Sequence, residues 1–108
     1  MLKRITPQDV RQSYEKIGYK PIQGRTNTFH SECCGFAAFL RALGYEPSWW
    51  LEIIEYAQQF GFVEDYVRGF IEGFDGNSMS ESRTAWEIGH ADGKDAWEEV
   101  KSLVGVPV

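Results

Sequence analysis

The sequence has few of the side chains that commonly perform catalysis or hold metal ions. Its 108 residues include only two cysteines and two histidines. Cys33 and Cys34 are adjacent, so the CxxC spacing typical of zinc sites is absent, and such sites need about four ligands of this kind. We therefore predict no metal and no cofactor, and a binding protein is favoured over an enzyme.

Long apolar runs are also absent. No segment approaches the roughly 20 apolar residues that cross a bilayer. The start of the chain, Met1 to Arg4, runs directly into a helix signal without the apolar region of a secretory signal. We therefore expect a cytoplasmic protein with reduced thiols and no membrane partner.

Positive charge is scarce overall but concentrated at the start of the chain. The formal net charge is −5, which disfavours nucleic acid as a partner because nucleic-acid binding needs a basic face. Residues 1–25 carry six basic and two acidic side chains, whereas the remainder carries five basic and fourteen acidic ones. Either the first helix lies against an acidic body, or a dipolar surface orients a partner or a second copy.

A recurrent glycine string predicts where helices end. It occurs at residues 17–21, 43–47, 60–62 and 104–107 as an apolar residue, Gly and a second apolar residue, with Pro following in three of the four. Glycine adopts the left-handed conformation after the last helical turn, and Pro prevents the helix from restarting. We predict helix ends near residues 17, 43, 60 and 104.

Capping residues predict the helix starts. Thr6 precedes Pro7 in the order expected of an N-cap and a first helical residue. Ser31 and Ser48 are candidate caps for the second and third helices, acidic residues favour a fourth helix from about residue 63, and Ser80 or Ser82 could cap a fifth. No strand is evident. Residues 1–108 are thus predicted to form one compact all-α domain of about five helices.

Two further patterns predict how the helices pack. Helix 2, about 32–43, is apolar nearly all round, which is typical of a buried central helix. The string Tyr66-x-x-Gly69-x-x-x-Gly73 aligns with Trp86-x-x-Gly89-x-x-x-Gly93. Because each internal Gly costs about 1 kcal/mol relative to Ala, we predict that helices 4 and 5 pack closely through these glycine faces.

The candidate catalytic groups are the two thiols and the two histidines. If Ser31 is the N-cap, Cys33 and Cys34 lie in the first turn of helix 2, where the helix dipole lowers a thiol pKa. His30 or His90 could act as the base, with Asp92 orienting it. This reading predicts a small thiol-dependent enzyme, and structural cysteines are the alternative.

The acidic residues of helix 5 allow a third reading. They form either a solvated face or a surface that docks a basic partner. The residues concerned are Glu87, Asp92, Asp95, Glu98 and Glu99.

An apolar edge near residue 50 points to a partner. Trp49 and Trp50 project about 100° apart on a helix, so one small core has difficulty burying both indoles, and Leu51 points further round. Such an edge is typical of an interface, although burial under the 20–30 loop is the alternative. The leading hypothesis is a non-enzymatic protein-protein interaction module, self-associating as a homodimer or acting as an accessory subunit.

Overall fold

The chain is mostly helical, as predicted. The computed structural model describes residues 1–28, 31–80 and 82–104. Within these residues the elements follow in the order α1 (Pro7–Ile17), β1 (Lys20–Pro21), β2 (Glu32–Cys33), α2 (Gly35–Ala42), α3 (Trp50–Gln59), α4 (Glu64–Phe74) and α5 (Thr84–Val100), and a 3-10 turn (Lys101–Leu103) follows α5. None of the described helices has the length and apolar character needed to cross a bilayer.

The first helix begins and ends at the predicted residues. Thr6 is the N-cap, and its hydroxyl accepts from the backbone N–H of Asp9 at 3.1 Å while the Asp9 carboxylate accepts from the Thr6 N–H at 2.9 Å. This capping box satisfies two N–H groups that no helical carbonyl can reach. Gly18 ends the helix with φ 72°, and its N–H donates to Tyr14 O.

A glycine in the left-handed conformation also ends each of the next two helices. Gly44 and Gly61 follow α2 and α3 with φ of 98° and 92°. Tyr45 N then donates back to Leu40 O at 3.1 Å, and Phe62 N donates to Ala57 O at 3.1 Å. These bonds satisfy carbonyls of the last turn. The fourth string, from Gly105 onward, lies outside the described residues.

The predicted start of helix 2 and the predicted absence of strands are wrong. Ser31 has φ 58° and does not cap a helix, and Cys34 is the N-cap of an α2 that begins at Gly35. Glu32 and Cys33 instead pair in parallel with Lys20 and Pro21. The 20–22 segment donates to the Ser31 and Cys33 carbonyls, so these groups are satisfied in an extended conformation.

The start of α5 also differs from the prediction. Arg83, rather than Ser80 or Ser82, is the N-cap, and the helix begins at Thr84. From there α5 is continuous through Gly93 to Val100. At α3, Trp49 rather than the predicted Ser48 is the N-cap. Ser48 instead donates to the Glu52 carboxylate through both its N–H and its hydroxyl.

Helix α2 is buried along most of its length and packs against α1, α3, α4 and α5. Phe36 meets Phe62 and Phe70 edge to face, with ring centroids 5.2 and 5.3 Å apart. Aromatic rings prefer this geometry over face-to-face stacking. The core therefore forms where α2 meets the α4–α5 pair.

The predicted packing of α4 and α5 through glycine is confirmed. A Cβ added at Gly69 would overlap the Trp86 carbonyl, and one at Gly73 would overlap the His90 carbonyl. The relation is reciprocal, because a Cβ at Gly89 or Gly93 would overlap a carbonyl of α4. Each glycine thus lets one backbone touch the other.

The register of these contacts shows that α4 and α5 run parallel. Gly69 faces Trp86 and Gly73 faces His90, so the residue numbers rise together on both helices. Adjacent helices joined by a short loop are normally antiparallel. Here α5 instead begins beside the start of α4, with Trp86 next to Gly69.

Gly93→Ala tests this contact. Ala is favoured over Gly by about 1 kcal/mol in a free helix, but the new Cβ would lie 2.8 Å from Phe74 N and 2.9 Å from Phe70 C. Backbone atoms cannot rotate away, so we expect the free energy of unfolding, measured by urea denaturation, to fall by about 1–3 kcal/mol or more. The exposed control Gln12→Ala should stay within about 0.5 kcal/mol of wild type. A Gly93→Ala protein as stable as wild type would contradict the close contact.

Candidate functional site

The indoles of Trp49 and Trp50 are exposed rather than covered by the 20–30 loop. Their side chains are 50% and 43% exposed at the start of α3. Leu51, the third predicted interface residue, is half-buried and packs against the core. The exposed edge therefore consists mainly of the two indoles.

The two indoles face different surroundings. Trp50 lines a cleft of about 590 Å³, whereas Trp49 is not part of its lining. The 24–26 loop, α3, α4 and the start of α5 surround this cleft, and Ile53, Ile71 and Cys34 provide apolar lining. The volume lies within the range of about 300–1,000 Å³ common for small-molecule sites.

The lining of the cleft is rich in arginine and tryptophan. It includes Arg25, Arg68, Arg83, Trp50 and Trp86, which is half of the six arginines and half of the four tryptophans in the chain. These two residue types carry a large share of binding energy at protein interfaces. The concentration was not evident from the sequence, because the five residues come from four separate segments.

Two ion pairs lie on the wall of the cleft. Arg68 binds Glu64 at 2.6 Å and lies 5.0 Å from the centroid of the Trp50 ring. Arg83 approaches Asp65 at 3.5 Å. Opposite charges are thus interspersed beside the exposed indole.

The 20–28 loop is fastened to the C-terminal end of α4. Gly24 N donates to Asp75 Oδ1 at 2.8 Å, and Gln23 Nε2 donates to Phe74 O at 2.9 Å. Burial raises the pKa of Asp75, with the neighbouring charge of Glu72 acting in the same direction and the Gly24 N–H opposing both. The cleft therefore holds a carboxylate that its surroundings only partly stabilise.

The cysteines occupy different positions from those predicted. Cys33 lies in β2, Cys34 is the N-cap of α2, and both are buried. Burial raises the pKa of Cys34 to about 12, even though backbone N–H groups of Ala37 and Phe36 lower it. Burial also raises the pKa of Cys33. This is the reverse of the lowered pKa that a nucleophilic thiol needs.

The histidines are not placed as a base beside these thiols within the described chain. His30 lies outside the described residues. The His90 ring stacks on Trp86 with centroids 5.1 Å apart, and its Nε2 lies 2.7 Å from the Asn77 carbonyl oxygen. That geometry places the Nε2 proton toward Asn77, so His90 holds Asn77 against α5.

Asp92, predicted to orient a histidine or to lie on a solvated face, is buried and serves another role. Arg4 binds both of its oxygens, at 2.8 and 2.9 Å, and the Tyr66 hydroxyl donates to Oδ2 at 2.7 Å. Ile5 N in turn donates to the Tyr66 oxygen at 3.0 Å. Asp92 points inward because the neighbouring Gly93 brings α5 against α4, where Tyr66 lies. The network ties the N-terminal segment to both helices.

The rest of the acidic side of α5 meets the basic first helix in part. Gln8 donates to the Glu99 carboxylate at 3.2 Å, and Arg11 donates to the Glu99 backbone oxygen at 3.0 Å. Asp95 and Glu98 remain exposed. These contacts agree with the interpretation in which the first helix lies against an acidic body.

No group of three or more His, Cys, Asp or Glu side chains in the described parts of the chain is placed to hold a metal ion. Comparison with known proteins yields no matching family model, no matching curated protein and no matching solved structure. Function must therefore be argued from the geometry of the cleft and the indole edge.

Tyr66→Phe tests the polar network. Loss of the hydroxyl leaves the Ile5 N–H and one Asp92 oxygen without this partner, so we expect the free energy of unfolding to fall by about 1–3 kcal/mol. Tyr45→Phe is the matched control, since no described group hydrogen-bonds to the Tyr45 hydroxyl. Equal stabilities of the two variants in urea would show that the network contributes little.

Alkylation by iodoacetamide at pH 8 tests the thiols. With a pKa of about 12, Cys34 exposes about a thousandfold less thiolate than an ordinary cysteine, and burial limits access further. We expect native protein to react only through unfolding, and the exposed Ser102→Cys variant to react rapidly at its new thiol. Fast labelling of Cys33 or Cys34 in folded protein would instead support the thiol-enzyme hypothesis.

Proposed function

We propose that this domain is a non-enzymatic protein-protein interaction module that self-associates through the edge formed by Trp49 and Trp50. The observation that carries the proposal is the exposure of two adjacent indoles, at 50% and 43%, on a helix start held by the core. The other two indoles of the chain are packed, since Trp86 is 3% exposed and Trp97 meets Phe74 edge to face.

Rigidity favours an interface at this edge. Ile53, Ile54 and Ala57 of α3 are buried in the core, so the indoles are presented from a fixed helix. A preorganised aromatic side chain loses little conformational freedom on binding. Tryptophan is also among the residues whose truncation costs most at interfaces.

The charges beside the edge favour a second copy as the partner. In a two-fold dimer the same patch meets itself, so positive groups must be able to face negative ones. The pairs Arg68–Glu64 and Arg83–Asp65 supply both signs next to Trp50. A patch of one sign would repel its own copy.

Sedimentation velocity over a wide range of concentration tests self-association. We expect a reversible dimer, and Trp49→Ala should raise its dissociation constant by at least about thirtyfold, as for the loss of an interface hot spot of about 2 kcal/mol. Met79→Ala is the matched control, because Met79 is 58% exposed but lines a different cleft beside His90 and Lys94. A wild-type protein that stays monomeric at the highest concentration would overturn the proposal.

A further inference from the structure

The cleft carries an arginine and an aspartate that no described residue of opposite charge pairs with. Two other carboxylates of the lining, Glu64 and Asp65, pair with arginines. Asp75 accepts from the neutral N–H of Gly24, and Arg25 makes no hydrogen bond or ion pair with any described group. Arg25 and Asp75 are therefore the natural contacts for a ligand that bears charge.

Arg25 and Asp75 lie at the same end of the cleft. Gly24, which precedes Arg25, donates to Asp75 at 2.8 Å. The bond places the backbone next to Arg25 against Asp75, although the two charged groups do not pair with each other. A ligand with an ammonium and a carboxylate supplies a partner of opposite charge for each of them.

An apolar and aromatic surface lies in the same cleft. Trp50 is 43% exposed, and Ile53 and Ile71 contribute aliphatic surface. Indoles stack well against other planar rings. The cleft volume of about 590 Å³ lies within the usual range for sites that bind small molecules.

We propose that the cleft binds a small zwitterionic aromatic ligand of the α-amino-acid class, with its carboxylate on Arg25, its ammonium on Asp75 and its ring against Trp50. Both charges of the ligand are then matched, which neither a simple anion nor a simple cation achieves. The site shares Trp50 with the proposed dimer edge, whereas Trp49 does not line the cleft.

The proposed roles of Arg25, Asp75 and Trp50 are tested on the wild-type protein with phenylalanine and three compounds, each of which lacks one of its groups. The probe is L-phenylalanine, followed by tryptophan fluorescence and by amide chemical shifts. N-acetyl-phenylalanine lacks the ammonium, phenylalaninamide lacks the carboxylate, and glycine lacks the ring. We expect saturable binding of phenylalanine and a loss of about tenfold or more for each of the other three, since a charge-assisted hydrogen bond contributes about that factor.

Variants connect each ligand group to a residue. Arg25→Ala should weaken phenylalanine and N-acetyl-phenylalanine but leave phenylalaninamide unchanged. Asp75→Asn should weaken phenylalanine and phenylalaninamide but not N-acetyl-phenylalanine, and Asn can still accept from the Gly24 N–H. Trp50→Ala should weaken all three ring-bearing ligands.

Trp49→Ala is the matched control, since it removes the neighbouring exposed indole, which does not line the cleft. It should weaken self-association by at least about thirtyfold and leave phenylalanine binding intact at protein concentrations at which the wild type is monomeric, so the failure of one proposal is distinguishable from the failure of the other. Absence of saturable phenylalanine binding to the wild-type protein, or equal binding of all four compounds, would overturn the ligand assignment.

Discussion

The backbone contact between α4 and α5 is the constraint on which the rest of the structure depends. Four glycines at matched spacing let two parallel helices touch carbonyl to Cα, and no other residue fits those positions. Helix α2 packs against both members of the pair. The two helices and their caps also contribute much of the lining of the cleft, including Asp65, Arg68, Asp75, Arg83 and Trp86.

Polar groups in this chain mainly assemble the fold. Asp92 accepts from Arg4 and Tyr66, and Asp75 fastens the 20–28 loop to the end of α4. Buried carboxylates persist where hydrogen bonds and opposite charge repay part of the lost hydration. At Asp92 this compensation is extensive, whereas at Asp75 one oxygen is left for another donor.

Burial changes the pKa of the Cys34 thiol more than its position at a helix N-terminus does. A helix N-terminus contributes about 0.3–1 kcal/mol to a nearby anion, and up to about 2 in favourable sites. The rise in the Cys34 pKa from 9.0 to about 12 corresponds to about 4 kcal/mol in the opposite sense. Cys34 is at a helix N-terminus, yet its burial disfavours the thiolate. The structure therefore favours binding at the exposed indoles and the charged cleft over nucleophilic catalysis by the cysteines.

The sequence alone determined the features that depend on near neighbours. Capping at Thr6, the left-handed glycines after three helices and the glycine faces of helices 4 and 5 all follow from local sterics and hydrogen bonding. The tertiary structure decided what depends on distant segments. Cys33 joins a strand because Lys20 and Pro21 lie beside it, and Asp92 turns inward to meet Arg4 and Tyr66. The parallel course of α5 depends on the register in which its backbone meets that of α4. The cleft could not be predicted from the sequence for the same reason. Hydrophobic and charge patterns predict which face of a helix is buried but not which faces of different helices meet.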